Sequence, residues 1–236
     1  MSALLVCRVG LFGTVALSFP VAAVLVFRFG FDRQGTASVL SMIYGMGIPL
    51  ALSTAFWPLA ETRGWSRGRR VESLALLFLG MSYATHLSWE LGWLLLHEQI
   101  ATSAQAAWAY PWWAYIDGGD ARYAHPTGTL LALETLSVTN GLVGVSAMVA
   151  FFRSGRQRPR AIAVMAATAV VHLYSASFYY LSELLDGLPN VDTTSFVATY
   201  VKFGLANAPW VVAPWFVFRW AWVKLAATED GTSEPG

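Results

Sequence analysis

The 236-residue chain is 56% hydrophobic and only 12% charged, with a mean hydropathy of +0.51, and this composition excludes an ordinary soluble domain. Its formal net charge of +1 excludes the basic surface that nucleic-acid binding needs. Its single cysteine, Cys7, excludes an intrachain disulfide and a cysteine metal site. The sequence therefore predicts an all-α fold, a polytopic bundle of membrane helices.

A membrane-spanning helix needs about 20 mostly apolar residues, and six stretches of the chain are this long. They are residues 4–27, 38–60, 72–97, 127–152, 160–183 and 197–222. The first stretch lacks a small-residue cleavage site at its end, so we interpret it as a helix and not as a signal peptide. Prolines within the second and the last stretches predict kinks there.

The connections between these stretches differ in charge and composition. Arginines fill the loop before the third stretch and the loop after the fourth, and both loops are expected on the cytoplasmic side. They are Arg63, Arg67, Arg69, Arg70, Arg153, Arg156, Arg158 and Arg160. The longest connection, residues 98–126, is rich in Trp and Tyr, and an interfacial aromatic belt and a ligand lid are alternatives for it.

A few ionisable or strongly polar residues lie within the predicted spans: His86 and Glu90 in the third, Glu134 in the fourth and Asn207 in the last. On an α-helix, His86 and Glu90 share a face about 6 Å apart along the axis. A charged group at the bilayer centre costs about 3 kcal/mol on insertion scales, so these side chains should face a shared cavity. In a low dielectric, two carboxyl groups and an imidazole have pKa values that are pushed apart, which suits acid–base chemistry on an uncharged lipid.

Two further residues, Trp210 and His172, leave alternatives open. Trp210 could face a positive charge, because an indole stabilises a cation by up to about 2 kcal/mol, or it could simply pack. His172 is equally well explained as a buried core histidine or as a site residue. Metal binding ranks below acid–base chemistry, because a His-x3-Glu pair with one distant glutamate, Glu134, is a weak ligand pattern.

Several segments, in this order, give the chain a resemblance to a known family. They are His86–Glu90 with Gly92 and Trp93; Trp113 with Tyr115; residues 119–123; Glu134 with Ser137; residues 173–174 and 179–183; and residues 207–210 with Pro214. Over residues 40–222 the chain resembles the emopamil-binding protein family of sterol Δ8-Δ7 isomerases, within the EXPERA group. It departs from the family pattern at Ala176, where an acidic residue is expected, and at Pro209.

The resemblance implies a five-helix membrane core around a hydrophobic cavity. Residues 1–36 would then be an additional N-terminal transmembrane helix with its loop, residues 37–225 the EXPERA-like domain and residues 226–236 a disordered cytoplasmic tail. It also implies catalytic roles for His86, Glu90 and Glu134. The substrate-binding residues that we infer are Trp210, Asn207, Ser137, Tyr174 and Trp93. Neither a cofactor nor a metal is expected.

The activity implied by the resemblance is a Δ8 to Δ7 double-bond isomerisation of a sterol or related polycyclic terpenoid, through protonation to a carbocation and deprotonation. Two alternatives stay open: an acid-catalysed terpenoid epoxide isomerase or cyclase, and a non-catalytic sterol or amphiphilic-amine binding protein of the sigma-2 receptor type. The expected partners are a hydrophobic sterol or terpenoid and the lipid bilayer, without nucleic acid, and a homodimer is left open. The expected location is the endoplasmic reticulum of a eukaryote or the inner membrane of a bacterium.

Overall fold

The computed structural model describes residues 2–153 and 155–229, and these residues form helices and loops without a strand among them. The α-helices are α1 (Ala3–Phe29), α2 (Arg33–Ser53), α3 (Arg67–Thr85), α4 (Leu91–Thr102), α5 (Tyr110–Asp117), α6 (Gly128–Arg153), α7 (Arg158–Leu185) and α8 (Ala208–Glu229). Two π-helical segments cover His86–Glu90 and Val197–Leu205, and short 3₁₀ turns cover Thr54–Phe56, Ala107–Ala109 and Ala121–Tyr123. The predicted all-α fold is confirmed.

Five helices within the described residues are long and apolar enough to cross a membrane. They are Ala3–Phe29, Arg33–Phe56, Gly128–Arg153, Arg158–Leu185 and Val197–Ala227. A sixth rod passes without a break from α3 through the first π segment into α4, and its first turns carry several charged residues, which lower its hydropathy. The chain is therefore a multi-pass membrane protein, with α1 as the additional N-terminal helix.

The starts of the first three helices follow from their capping residues. Ser2, Asp32 and Ser66 stand at the N-caps, and their side-chain oxygens accept hydrogen bonds from backbone N–H groups of the first turn. Gly30 ends α1 with a φ of 71°, a left-handed conformation that side chains with a Cβ rarely adopt. The connection to α2 is therefore short, and α1 packs back against α2.

Two glycines of α6 allow the sixth rod, which consists of α3, the first π segment and α4, to pack unusually close to α6. A Cβ atom at Gly144 would lie 2.1 Å from the ring of Tyr83, and one at Gly141 would lie 2.8 Å from the Cβ of His86. A larger residue at either position would push the rod away from α6, because neither gap has room for a methyl group. Next to this contact, Phe78 and Met165 are fully buried in the main core, which α3, α6, α7 and α8 build together.

The arginine-rich loops lie at one end of the bundle. There Lys224 of α8 pairs with Glu72 of α3 at 3.2 Å, and Trp220 packs against Phe151 at the end of α6. That this end faces the cytoplasm stays a prediction. One prediction about the tail is corrected: α8 continues to Glu229, so residues 226–229 are helical and not disordered, while residues 230–236 lie outside the described residues.

Candidate active site

A cavity of about 830 Å³ lies among the helices, a size that suits a small-molecule site. Its walls come from α1, α2, α3, the first π segment, α5, α6, α7 and α8, and most of them are apolar. None of the described residues that line it is a lysine or an arginine. The polar side chains in its wall are Tyr44, Thr85, His86, Ser88, Glu90, Tyr115, Tyr123, Glu134, Ser137, Ser175, Tyr179 and Asn207.

The side chains of His86 and Glu90 on the third span are in contact as predicted, but the segment that carries them is a π-helix and not an α-helix. Within the segment His86–Glu90, the Nδ1 atom of His86 lies 2.5 Å from the Oε2 atom of Glu90. The carbonyl of Trp89 accepts a hydrogen bond from the indole of Trp112 on α5 at 3.0 Å, outside the helix ladder. The wider π turn also brings Ser88 to the cavity wall. π turns are rare and occur frequently at functional sites.

Glu134 of α6 contributes the second carboxyl group. Its Oε1 atom accepts a hydrogen bond of 2.5 Å from the hydroxyl of Tyr123, and its Oε2 atom is buried with no hydrogen-bond partner in the described part of the chain. Glu90 is close enough to interact with it electrostatically. Two acid–base pairs, His86 with Glu90 and Tyr123 with Glu134, therefore line the same cavity.

His172 of α7 is joined to this site from behind. Its Nε2 atom lies 2.9 Å from the Nε2 atom of His86, and the two rings are stacked with centroids 5.1 Å apart. The residue is buried and does not line the cavity. Of the two alternatives that the sequence leaves for His172, the structure favours a residue coupled to the site.

Asn207 and Trp210 reach the cavity from the start of α8. The amide nitrogen of Asn207 donates to the carbonyls of Lys202 and Phe203, both at 3.1 Å, so its amide oxygen is the group left for a ligand. The indole of Trp210 lines the cavity and packs on the ring of Phe78. Six predicted site residues thus line one cavity: His86, Glu90, Glu134, Ser137, Asn207 and Trp210. Their roles stay predictions.

Two predicted substrate-binding residues are not placed at the cavity, and both predictions are corrected. Tyr174 is 71% exposed on the outer face of α7, because it lies two residues, or about 200° around the helix, from the inward-facing His172. Trp93 is fully buried behind the wall, where its indole N–H donates to the carbonyl of Tyr123 and its ring packs on the Tyr123 ring. Trp93 therefore supports a lining residue and does not itself reach a ligand.

A second polar group, the ion cluster of Asp120, Arg122, Glu183 and Lys202, was not predicted as a unit. The guanidinium of Arg122 donates two hydrogen bonds of 2.9 Å to Asp120 and lies 3.3 Å from Glu183. The hydroxyl of Tyr179 donates to Asp120 at 2.7 Å, and the Lys202 ammonium lies 3.8 Å from the same carboxylate. Since Tyr179 also lines the cavity, the cluster lies directly behind the cavity wall.

The ion cluster holds its charges by mutual pairing. Burial raises the pKa of Asp120, but Lys202, Arg122 and Tyr179 lower it by more, so its pKa lies below the ordinary value of an aspartate. Lys202 was not predicted, although a lysine within the span 197–222 was a detectable signal. In the described residues no group of three or more His, Cys, Asp and Glu side chains is arranged to hold a metal ion.

Similar known proteins indicate the family to which this chain is related. Residues 105–220 match the family model EXPERA, the expanded EBP superfamily. Two curated relatives named 3-beta-hydroxysteroid-Delta(8),Delta(7)-isomerase are similar: the Rattus norvegicus protein is 29% identical over 147 residues and the Mus musculus protein 29% over 148 residues. Each match covers 62% of this chain and 61% of the relative, so the chain spans less than two thirds of their length. The resemblance found in the sequence motifs is confirmed.

Proposed function

Since residues 105–220 match the EXPERA family model, we propose that the protein is a membrane-embedded isomerase that shifts a C=C bond of a sterol or related polycyclic terpenoid from the Δ8 to the Δ7 position. One observation carries this proposal: acid–base side chains from two separate elements meet on a cavity that is otherwise mostly apolar. His86 and Glu90 come from the first π segment, and Glu134 comes from α6. Such a cavity suits a large hydrocarbon whose only reaction is a proton transfer.

The reaction needs one acid and one base. An acid of the set gives its proton to one alkene carbon, whose new C–H bond takes the π electron pair and leaves a cation on the other alkene carbon. A base of the set then removes a proton from the carbon on the far side of that cation, and the released pair forms the new C=C bond. The two carboxyl groups, Glu90 and Glu134, can hold one proton between them, which is the arrangement that such an exchange requires. No proton is consumed overall.

The cation has a neighbour suited to it. Trp210 lines the same cavity, and the face of an indole stabilises a desolvated positive charge by about 2 kcal/mol. None of the described residues that line the cavity is a lysine or an arginine, so no fixed positive charge stands in the wall itself. The proposed roles are therefore acid–base chemistry by the set of His86, Glu90 and Glu134, and cation stabilisation for Trp210.

The test is turnover of a Δ8 sterol by the purified protein in lipid nanodiscs in deuterated water, followed by mass spectrometry. A Δ7 product with one added deuterium is expected, because the new C–H bond takes its hydrogen from the protein. Replacing Glu134 by Gln keeps the acceptor for Tyr123 but removes the acidic proton, so E134Q should lower kcat at least about 100-fold.

The matched control is E98Q, which changes an exposed glutamate on α4 of the same rod and should leave kcat unchanged. Equal turnover by E134Q and wild type would refute the proposed chemistry. Tight sterol binding without deuterium in the recovered sterol would instead support the binding-protein alternative. A rearranged or cyclised product from a terpenoid epoxide would support the other enzyme.

A further inference from the structure

We propose that His172 is a positioning residue: it donates a hydrogen bond to His86, holds that ring neutral, and so keeps the exchangeable proton of the site on the carboxyl groups that face the cavity. The inference rests on the proposed function for what this proton does. It starts from one contact, the 2.9 Å approach of the Nε2 atoms of His86 and His172.

Two ring nitrogens at this distance share one proton, because a hydrogen bond needs one donor and one acceptor. Either His172 donates to an unprotonated His86 Nε2, or His86 donates to an unprotonated His172 Nε2. In the first case His86 carries its only proton on Nδ1, where the Glu90 carboxylate accepts it at 2.5 Å. In the second case the proton of neutral His172 must move to its own Nδ1 atom.

The surroundings of His172 favour the first case. Its Nδ1 atom is buried and makes no hydrogen bond within residues 2–153 and 155–229. The ring edge packs on Phe78 and lies beside the ring of Tyr83, whose hydroxyl already bonds to Thr168 at 2.6 Å. An N–H group pointing into such an environment would lose its hydrogen bond, whereas a proton on Nε2 has His86 as its acceptor.

It follows that both nitrogens of His86 are already used by a neutral ring: Nδ1–H donates to Glu90, and Nε2 accepts from His172. A further proton cannot bind to His86 without breaking the contact with His172. That proton therefore resides on Glu90 or Glu134, which line the cavity, and a carboxylic acid rather than an imidazolium protonates the substrate. His172 therefore helps to determine which group protonates the substrate, although it does not line the cavity.

The test combines kinetics with nitrogen NMR of selectively ¹⁵N-labelled histidine, which the chain has at only four positions. In the wild type, the His86 signal should show a protonated Nδ1 and an unprotonated Nε2; it is assigned by its loss in H86Q. In H172L the donor is gone, His86 can take a second proton, and kcat should fall about 10- to 100-fold with KM unchanged. In H172Q the amide N–H can donate to Nε2, so both kcat and the neutral His86 signature should be restored.

A second variant, H172F, keeps an aromatic ring in the core, and thermal unfolding of each variant reports whether the fold is intact. Retained kcat in H172L and H172F, or an H172Q that is as slow as H172L, would overturn the positioning role. A wild-type His86 with a protonated Nε2 would overturn it as well. The NMR measurement does not require turnover. If His86 is neutral in the wild type and not in H172L, but the protein is inactive on sterols, the positioning role stands and the proposed function is refuted.

Discussion

Two buried polar groups lie on either side of one wall of this membrane protein, and they are satisfied in different ways. In the ion cluster, the cations Arg122 and Lys202 face the anions Asp120 and Glu183. Asp120 accepts hydrogen bonds from both Arg122 and Tyr179. In the cavity, the carboxyl groups of Glu90 and Glu134 both belong to the wall, and the described lining residues include no lysine or arginine to neutralise them. There, one oxygen of Glu134 has no hydrogen-bond partner within the described residues.

The difference separates a structural role from a chemical one. A buried charge such as Asp120, which faces two cations and accepts hydrogen bonds from Arg122 and Tyr179, holds elements together and has no reason to exchange protons. Within the described residues the Lys202 ammonium makes no hydrogen bond, and it is held by Asp120 and by the ring of Tyr115, each at 3.8 Å. A buried acid with an incomplete set of partners is costly, and a ligand or a proton transfer can make use of it. Burial of an ionisable residue in a membrane protein is thus a weaker guide to function than the completeness of its pairing.

The largest expected effect is on stability, from breaking the ion cluster. D120N leaves Arg122 and Lys202 buried without their main anion, so the free energy of unfolding should fall by about 3–5 kcal/mol. The matched control is E72Q, because Glu72 pairs with Lys224 at a site where both side chains are more exposed, 27% and 46%. That variant should cost about 1 kcal/mol or less. Thermal unfolding in detergent measures both, and equal losses would contradict the distinction.

The pH dependence of stability should reflect the same carboxylate. Because the pKa of folded Asp120 lies below its unfolded value of about 3.9, its contribution is fully present above that value and is lost as the pH falls through the folded-state pKa. The contribution of Asp120 to the midpoint of thermal unfolding should therefore stay constant between about pH 7 and 5, and it should be lost only below about pH 4. Parallel curves for wild type and D120N down to pH 3 would show that Asp120 is not responsible.

The smallest of the three effects lies on the cavity side. Replacing Trp210 by Leu removes the indole face, and a loss of about 2 kcal/mol of cation stabilisation corresponds to a roughly 30-fold lower kcat. W210F keeps an aromatic face and should lose less. The control is W215L on the same helix, since Trp215 is 62% exposed on the outer face. A kcat that is equally reduced in W210L and W215L would point to helix packing instead of the cation.

The sequence was sufficient for the spans and for six of the eight predicted site residues, but not for the contacts that hold them in place. Length and hydropathy predict the helices because a bilayer imposes both, and intramembrane cost alone predicts that His86, Glu90 and Glu134 meet. The π turn at His86–Glu90 was missed, because the i,i+4 spacing is compatible with both an α and a π turn. The partners of His172 and Lys202 were missed because each pairs with a residue of a different element.

The misplacement of Tyr174 has another cause. In a soluble protein, polar and apolar residues mark the outer and inner faces of a helix, but lipid and the cavity are both apolar. Along α7, His172, Ala176 and Tyr179 face inward, while Tyr174 between them faces outward, and hydropathy does not distinguish the two faces. Only packing against neighbouring helices assigns the faces.

Gly141 and Gly144 carry no reactive group, yet they set how far α6 stands from the segment that carries His86. One methyl group at Gly141 would meet the Cβ of His86, and the ring would have to move together with its contacts to Glu90 and His172. The placement of His86 therefore depends on a residue with no chemistry of its own. Random mutagenesis scored by turnover should find such spacing residues as readily as it finds the acids.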